Sequence, residues 1–186
     1  MPELPEVETV RRGLEPVLSG ACLMQVDQRR GDLRWPLPER FGARLQGRRV
    51  GGLTRRSKVI LIALDESSKA EPETWLIHLG MTGRMLVSAA EAPETPETLE
   101  MVAGFVHRTG AETPGDALGP HDHLVIDTDR GARIVYNDVR RFGAMDLWPT
   151  AQIAEHPWLV TLGPEPLSNA FSGPVLAARL AGMATP

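Results

Sequence analysis

Short apolar segments separated by turn residues are the feature that most constrains the fold of this chain. These segments are about five to eight residues long and are bounded by glycines or by Asp-Arg-Gly-type turns, a pattern typical of β-strands. We therefore expect a mainly β fold in which the strands form an antiparallel β-sandwich. The predicted strands are residues 23–30, 48–54, 58–64, 74–80, 83–87, 123–128, 132–137 and 143–148.

One helix precedes the strands. Apolar residues recur at helical spacing from Val7 to Leu18, Pro5 lies near the start, and Gly20 follows where a C-terminal cap is expected. The acidic residues of the first turn suit the positive end of the helix dipole. The pattern predicts an α-helix over about residues 5–19.

Two further stretches depart from the strand pattern. Residues 88–120 are rich in Pro, Glu, Thr, Gly and Ala, show neither helical nor strand periodicity, and predict a mobile acidic insertion at the surface. Towards the end, a proline-containing connector leads into VLAARLAGM, which has helical spacing. We therefore divide the chain into a β-sandwich domain, residues 1–161, and a linker with the first helix of a helical domain, residues 162–186.

Composition excludes several classes of protein. Of 186 residues, 42% are hydrophobic and 24% charged, which suffices for a packed core, and no apolar run is long enough to cross a bilayer. The acidic start lacks the basic and apolar regions of a secretory signal. The single cysteine, Cys22, excludes an internal disulfide framework and favours a reducing compartment. We expect a soluble, cytoplasmic protein.

Charge is unevenly distributed along the chain. The net charge is -4, but residues 88–120 contain six acids and one base, so the rest of the chain carries +1. The overall acidity therefore does not argue against nucleic acid as a partner. Two lysines accompany 18 arginines, so Lys58, at the start of an apolar strand, invites a chemical explanation.

The first residues, MPELPEVETV, can carry chemistry. Removal of Met1 would leave Pro2 with a secondary amine whose reference pKa near ~8 allows a useful neutral fraction. Such an amine can add to C1′ of a sugar, and the iminium formed by ring opening acidifies the C2′ hydrogen and allows β-elimination of a phosphate. The adjacent Glu3 is placed to move protons. Alternatively, Pro2, Pro5 and the glutamates only start the helix.

The segment PELPEVETVRRGLEP resembles the N-terminus of bacterial formamidopyrimidine-DNA glycosylases. The likeness continues, in the family's order, through RRSKVILIAL, IHLGMTGRM, HDHLVIDTDRGARIVYNDVRRFGA and LGPEPLSNAF. The resemblance implies a base-excision repair enzyme that acts on damaged double-stranded DNA. It would flip an oxidised purine, such as 8-oxoguanine or a formamidopyrimidine, out of the duplex, cleave its glycosidic bond, and nick the abasic site by β,δ-elimination.

The resemblance also implies roles for four catalytic residues. Pro2 would be the Schiff-base nucleophile, Glu3 the proton donor, and Glu6 a carboxylate that orients the N-terminus. Lys58 would donate a proton during elimination and bind the DNA backbone near the lesion. From the residues alone, the favoured interpretation of Lys58 is instead a solvated lysine at a strand end.

Five residues would contact DNA according to the same resemblance. Met81, Arg140 and Phe142 would form a wedge that fills the space left by the flipped base, with the guanidinium pairing to the orphaned base. His121 and Arg141 would contact phosphates. On pattern alone, Met81 and Phe142 could be core residues. The His-x-His pair could suggest a metal, although the sequence offers no supporting ligand cluster.

The resemblance is to only part of the family's pattern. Family members continue into a helix-two-turn-helix domain and a four-cysteine zinc finger, and they are usually monomeric. Residues 162–186 would begin the former domain, the zinc would lie beyond residue 186, and this chain would hold no cofactor. We therefore expect a catalytic domain whose activity is impaired and whose uncovered surface can self-associate.

Two alternatives remain open at this stage. The first is a DNA-binding protein that retains the wedge surface but has no catalytic activity. The second is an enzyme similar to the tautomerases that use an N-terminal proline as a base on small molecules; a fold dominated by helices would favour it.

We predict that the mature chain begins at Pro2. A retained Met1 would convert the Pro2 amine into an amide, which has no nucleophilic lone pair. Intact-mass analysis of the purified protein should therefore show the loss of one methionine. Full retention of Met1 in an active preparation would contradict the mechanism. The variant Pro2→Gly still has a primary amine at its N-terminus, so it should keep part of the lyase activity.

Overall fold

The structure is a computed structural model that describes residues 2–65, 71–88, 105–108, 118–166 and 168–181. The chain divides into two compact units, Met1–Ile153 and Ala154–Pro186. This break lies before the boundary at residue 161 that we predict from the sequence. Most of the predicted acidic insertion, residues 88–120, lies outside the described residues.

Most of the secondary structure belongs to the first unit, and a short 3₁₀ helix (Thr150–Glu155) and an α-helix follow the last strand. The helices and strands, in chain order, are α1 (Leu4–Leu18), β1 (Leu23–Gln28), α2 (Phe41–Leu45), β2 (Val50–Arg56), β3 (Val59–Leu64), β4 (Glu73–His78), β5 (Arg84–Ser88), β6 (Phe105–Arg108), β7 (Asp122–Thr128), β8 (Arg133–Asn137), β9 (Ala144–Pro149) and α3 (Gly173–Leu180).

The strands form two sheets that share one core. One sheet has the order β1-β7-β8-β5-β6 and the other β2-β3-β4-β9. Side chains alternate along the strands, and the inward ones, such as Ile60, Ile77, Met85 and Ile126, belong to one buried apolar cluster. This arrangement confirms the predicted mainly β fold.

Helix α1 covers part of this core. Its apolar stripe, Val7, Val10, Leu14 and Leu18, is fully buried, and the helix packs against β2 and β3. The predicted helix is therefore present. It begins at Leu4, one residue earlier than predicted, and Glu3 is its N-cap.

Two elements were not predicted. Helix α2 is only five residues long, too short to show helical periodicity in the sequence. Strand β6 lies inside the predicted insertion and pairs with β5 in parallel, whereas the other strand pairs that the structure describes are antiparallel. The predicted last helix is present as α3, with Ser172 as its N-cap. None of the described helices is long and apolar enough to cross a membrane.

One carboxylate joins α1 to the β2–β3 hairpin. Glu8 accepts hydrogen bonds from Arg11 and Arg12 of its own helix, at 3.0 and 2.8 Å, and from Arg55 Nε of β2 at 3.0 Å. These guanidinium groups, Arg11 first among them, lower the pKa of Glu8 to about 2 from its usual 4.5. Arg11 also donates to the Leu53 carbonyl at 3.3 Å. The start of the helix is therefore fastened to the hairpin by charge-assisted hydrogen bonds.

We predict that Glu8→Gln lowers the free energy of unfolding at pH 7 by about 1–2 kcal/mol, allowing for solvent screening. Because folding lowers the Glu8 pKa, its contribution is fully present above the unfolded value of 4.5 and is lost as pH falls towards about 2. Urea denaturation should therefore show a smaller difference between the two proteins at pH 3 than at pH 7. Glu15→Gln is the control, since Glu15 is half-exposed and pairs with Arg11 alone. An equal difference at both pH values would contradict this role.

Candidate functional site

Four predicted catalytic residues lie together at the start of α1. Lys58 Nζ forms an ion pair with Glu3 Oε2, and both side chains remain partly exposed, at 33% and 51%. Glu6 Oε2 accepts a hydrogen bond from the Glu3 backbone nitrogen at 3.0 Å, as in a capping box. Pro2, the predicted nucleophile, directly precedes Glu3 in the chain. The Glu3–Lys58 pair therefore adjoins, in the chain, the residue that would carry the amine once Met1 is removed.

The β2–β3 hairpin holds Lys58 in place. Ser57 and Lys58 form the turn between paired Arg56 and Val59, and Ser57 has a positive φ of 53°. Arg55 Nη1 donates to the Ser57 carbonyl at 2.8 Å while its Nε contacts Glu8. The turn that carries Lys58 is thus linked through Arg55 to the helix that carries Glu3.

The predicted wedge residues lie on two adjoining connections. Met81 is in the turn between β4 and β5, and Arg140 and Phe142 are in the loop between β8 and β9. Met81 is 42% exposed and Phe142 40%, so neither is a core residue. The Arg140 guanidinium carbon lies 4.4 Å from the centre of the Phe142 ring, a cation–π distance.

These two connections approach each other backbone to backbone. A Cβ on Gly80, which has a φ of +63°, would lie 2.3 Å from the Phe142 carbonyl carbon. A Cβ on Gly143 would lie 1.8 Å from the Tyr136 hydroxyl. Only glycine permits both contacts. The backbone of the Met81 turn therefore lies directly against the backbone of the Arg140–Phe142 loop.

A buried carboxylate lies beneath the wedge residues. Asp138 is fully buried, and its carboxylate accepts hydrogen bonds from the Thr82 hydroxyl, from the Tyr136 hydroxyl at 3.1 Å and from Gly143 N at 2.8 Å. Burial, and then the Asp138 carboxylate, raise the pKa of Tyr136. Thr82 and Asp138 were not predicted from the sequence, although they lie inside the blocks IHLGMTGRM and HDHLVIDTDRGARIVYNDVRRFGA.

Of the two predicted phosphate-contacting residues, Arg141 lies within this loop and His121 directly precedes β7. His121 is exposed, and its carbonyl accepts a hydrogen bond from Asp138 N at 3.0 Å. Arg141 is exposed, has a φ of 56°, and donates to Asp32 Oδ2 at 3.4 Å. His123, by contrast, is buried, with Nε2 2.8 Å from the Asp138 carbonyl oxygen. The two histidines of the His-x-His pair therefore do not share one environment.

No metal centre is apparent in the part of the chain that the structure describes. There, no group of three or more His, Cys, Asp or Glu side chains is arranged to hold a metal ion.

Further cationic and aromatic groups lie beside the wedge and were not predicted. Arg34 N donates to the Gly143 carbonyl at 3.0 Å, and the Arg34 side chain lies 4.8 Å from the ring centre of Trp35, which is 49% exposed. Burial, and then the charges of Arg34 and Lys58, lower the pKa of His78. In the sequence, the adjacent arginine and tryptophan of LRWP are the signal that could have indicated this surface.

Sheet register brings these groups to one end of the molecule's first unit. Val59 pairs with His78, and His78 pairs with Ala144. The Lys58 turn, the Met81 turn and the loop before β9 therefore lie at the same end of the β2-β3-β4-β9 sheet. This end of the sheet therefore carries exposed apolar side chains, cationic side chains and the Glu3–Lys58 ion pair.

Comparison with known proteins gives a consistent result. The formamidopyrimidine-DNA glycosylase N-terminal domain family matches residues 1–145. The chain is 52% identical over 186 residues to a formamidopyrimidine-DNA glycosylase of Dinoroseobacter shibae, and 53% identical to one of Cereibacter sphaeroides. It is covered completely in both comparisons but spans only 58% of the length of either relative.

Solved structures show the same fold. The crystal structure of Lactococcus lactis Fpg in complex with DNA containing FAPY-dG matches with a TM-score of 0.71 and 25% sequence identity. The match covers 97% of this chain and 57% of the Lactococcus lactis protein. A second structure, the same species' Fpg with DNA containing an abasic site, matches with a TM-score of 0.69 and 26% identity.

Proposed function

The chain belongs to the formamidopyrimidine-DNA glycosylase family, and on that basis we propose that it carries the glycosylase and abasic-site lyase chemistry of base-excision repair. The proposed substrate is damaged double-stranded DNA that contains an oxidised purine. The proposed place of action is the cytoplasm, in the reducing conditions that the single cysteine favours.

The observation that carries this proposal is the position of Pro2, Glu3 and Lys58. The Glu3 carboxylate, on the residue that directly follows Pro2, forms an ion pair with the Lys58 ammonium, and both side chains are partly exposed. Nucleophilic catalysis by an amine needs a proton-transfer partner within hydrogen-bond reach of the reacting atoms, and this geometry supports such a role.

The proposed reaction proceeds in balanced steps. The Pro2 nitrogen bonds to C1′ as the bond from C1′ to the base breaks, and the base leaves with that electron pair and takes up the proton that the Pro2 nitrogen loses. Glu3 protonates the ring oxygen as the C1′–O4′ bond breaks, which leaves an iminium on Pro2. Loss of a C2′ proton expels the 3′-phosphate, a second elimination expels the 5′-phosphate, and water releases the sugar fragment. In these steps the Lys58 ammonium exchanges protons with the carboxylate of its partner, Glu3.

The wedge surface supports the DNA-binding part of the proposal. C1′ cannot be reached inside the base stack, so the target nucleotide must leave the duplex. The exposed side chains of Met81 and Phe142 are suited to fill the vacated space, and Arg140 is suited to pair with the orphaned base. His121 and Arg141 are exposed beside this loop and would hold phosphates.

The tautomerase alternative has lost its support, because it required a fold dominated by helices and the fold is mainly β. A DNA-binding protein without catalytic activity remains the alternative hypothesis. Borohydride reduction distinguishes it from the proposed glycosylase and lyase. Reduction of the iminium gives a stable covalent adduct between the chain and abasic-site DNA. Binding without an adduct, in a preparation that begins at Pro2, would favour the non-catalytic alternative.

We predict that Glu3→Gln separates the two activities. The amine of Pro2 remains in this variant, so adduct formation with preformed abasic-site DNA should stay measurable at low salt. Release of 8-oxoguanine should fall by about 10²-fold or more, because proton transfer to the sugar is lost. Glu15→Gln, on the same helix but away from Pro2, serves as the control. Full base release by Glu3→Gln would remove Glu3 from the mechanism.

We predict that Lys58→Ala weakens the processing of oxidised purine more than the nicking of abasic sites. Lys58→Arg is the matched variant, because arginine keeps the positive charge for phosphate but does not readily give up its proton. If Lys58 relays protons, the arginine variant should bind DNA normally yet excise the base slowly. Equal loss on both substrates in Lys58→Ala, with full rescue by arginine, would show that Lys58 is only a phosphate contact.

A further inference from the structure

A single hydroxyl group joins the two connections that carry the wedge. We propose that Thr82 and Asp138 are positioning residues that make the Met81 turn and the Arg140–Phe142 loop move as one unit when they enter the duplex. This inference rests on the proposed function, because it assigns a task in DNA opening to residues that touch neither the reacting sugar nor the base.

Thr82 uses both capacities of its hydroxyl on the opposite loop. Its Oγ1 donates to Asp138 Oδ1, and it accepts a hydrogen bond from Arg140 N at 3.3 Å. Thr82 directly follows Met81, and Arg140 is itself a wedge residue. The hydroxyl is therefore a direct link between the two wedge segments.

Asp138 extends this link to the whole loop. Its second carboxylate oxygen accepts from Gly143 N at 2.8 Å and from the Tyr136 hydroxyl at 3.1 Å. Its carbonyl oxygen accepts from Arg141 N at 3.3 Å. One fully buried residue thus contacts both ends of the loop and, through Thr82, the neighbouring turn.

The Asp138 carboxylate is buried without a described cationic partner. Two hydroxyls and a backbone amide, all neutral groups, are the donors that the structure gives to the buried Asp138 carboxylate. A buried charge is costly unless its hydrogen-bonding capacity is filled, and an apolar residue would avoid that cost altogether. Buried polar networks that are fully satisfied make a structure rigid and unique.

Rigidity has a specific use at this position. Opening a stacked duplex costs a few kcal/mol per base step, and the wedge side chains must enter together to offset that cost. A turn and a loop that move independently would lose additional entropy on binding. Adduct formation at an abasic site in single-stranded DNA needs no such opening, so it should not depend on the Thr82–Asp138 hydrogen bond.

The test compares Thr82→Val with two matched variants. Valine keeps the shape of threonine but removes the hydroxyl, whereas Thr82→Ser keeps the hydroxyl and should restore wild-type behaviour. Thr128→Val is the control for stability, because the Thr128 hydroxyl bonds only to the backbone of Ala132, in a turn at the other end of β7. Unfolding in urea confirms that all four proteins fold.

Two measurements are made on the 186-residue chain at low salt. The first is amide hydrogen exchange by NMR at Gly143, which lies on the loop opposite the substitution. The second is the ratio of borohydride adduct formed on duplex abasic-site DNA to that formed on the single strand. In Thr82→Val, exchange at Gly143 should rise and the ratio should fall, each by about tenfold, as expected for the loss of a hydrogen bond to a charged group.

The possible outcomes separate this inference from the proposed function. Unchanged Gly143 exchange in Thr82→Val, or an equal loss of adduct on both substrates, would overturn the inference. The same ratio change in Thr128→Val would also overturn it, since stability alone would then explain the effect. If the unsubstituted chain formed no adduct on either substrate, the proposed lyase activity would be contradicted, and Gly143 exchange would still decide whether the hydroxyl couples the two connections.

Discussion

The antiparallel register of β3, β4 and β9 is the constraint on which the candidate site depends. Val59 pairs with His78, and His78 with Ala144, so the Lys58 turn, the Met81 turn and the loop before β9 reach the same end of the sheet. A shift of one residue would turn every core-facing side chain of a strand outward. The same hydrophobic alternation that builds the core therefore also brings together the turns that carry the proposed catalytic and wedge residues.

Hydrogen bonds then assign each acidic side chain at the N-terminus to a separate partner. Glu8 is occupied by three arginines and has a pKa of about 2, and Glu6 accepts from the Glu3 backbone. The Glu3 carboxylate pairs with the Lys58 ammonium and, in the capping box, also accepts from the Glu6 backbone nitrogen. The Glu3–Lys58 pair stays partly exposed, at 51% and 33%.

Much of this arrangement can be predicted from the sequence, and the remainder has a physical reason for being missed. Alternating apolar residues predicted the strands, and helical spacing predicted α1, because both signals are local in the chain. The α2 helix escaped prediction because five residues cannot show a 3.6-residue period. The Thr82–Asp138 contact joins residues that are 56 positions apart. Strand pairing creates such a contact, so no local pattern could have revealed it.

The exposed apolar side chains of the wedge are held by polar contacts beneath them. Met81 and Phe142 keep about two fifths of their surface exposed, so the burial of apolar area contributes less to fixing their turns than it does in the core. Instead, the close backbone approach at Gly80 and the hydrogen bonds to the Asp138 carboxylate fix the conformation of these turns. The exposed side chains of the proposed wedge are thereby separate from the groups that shape the turns. A substitution at Met81 or Phe142 would therefore leave in place the hydrogen bonds that support both connections.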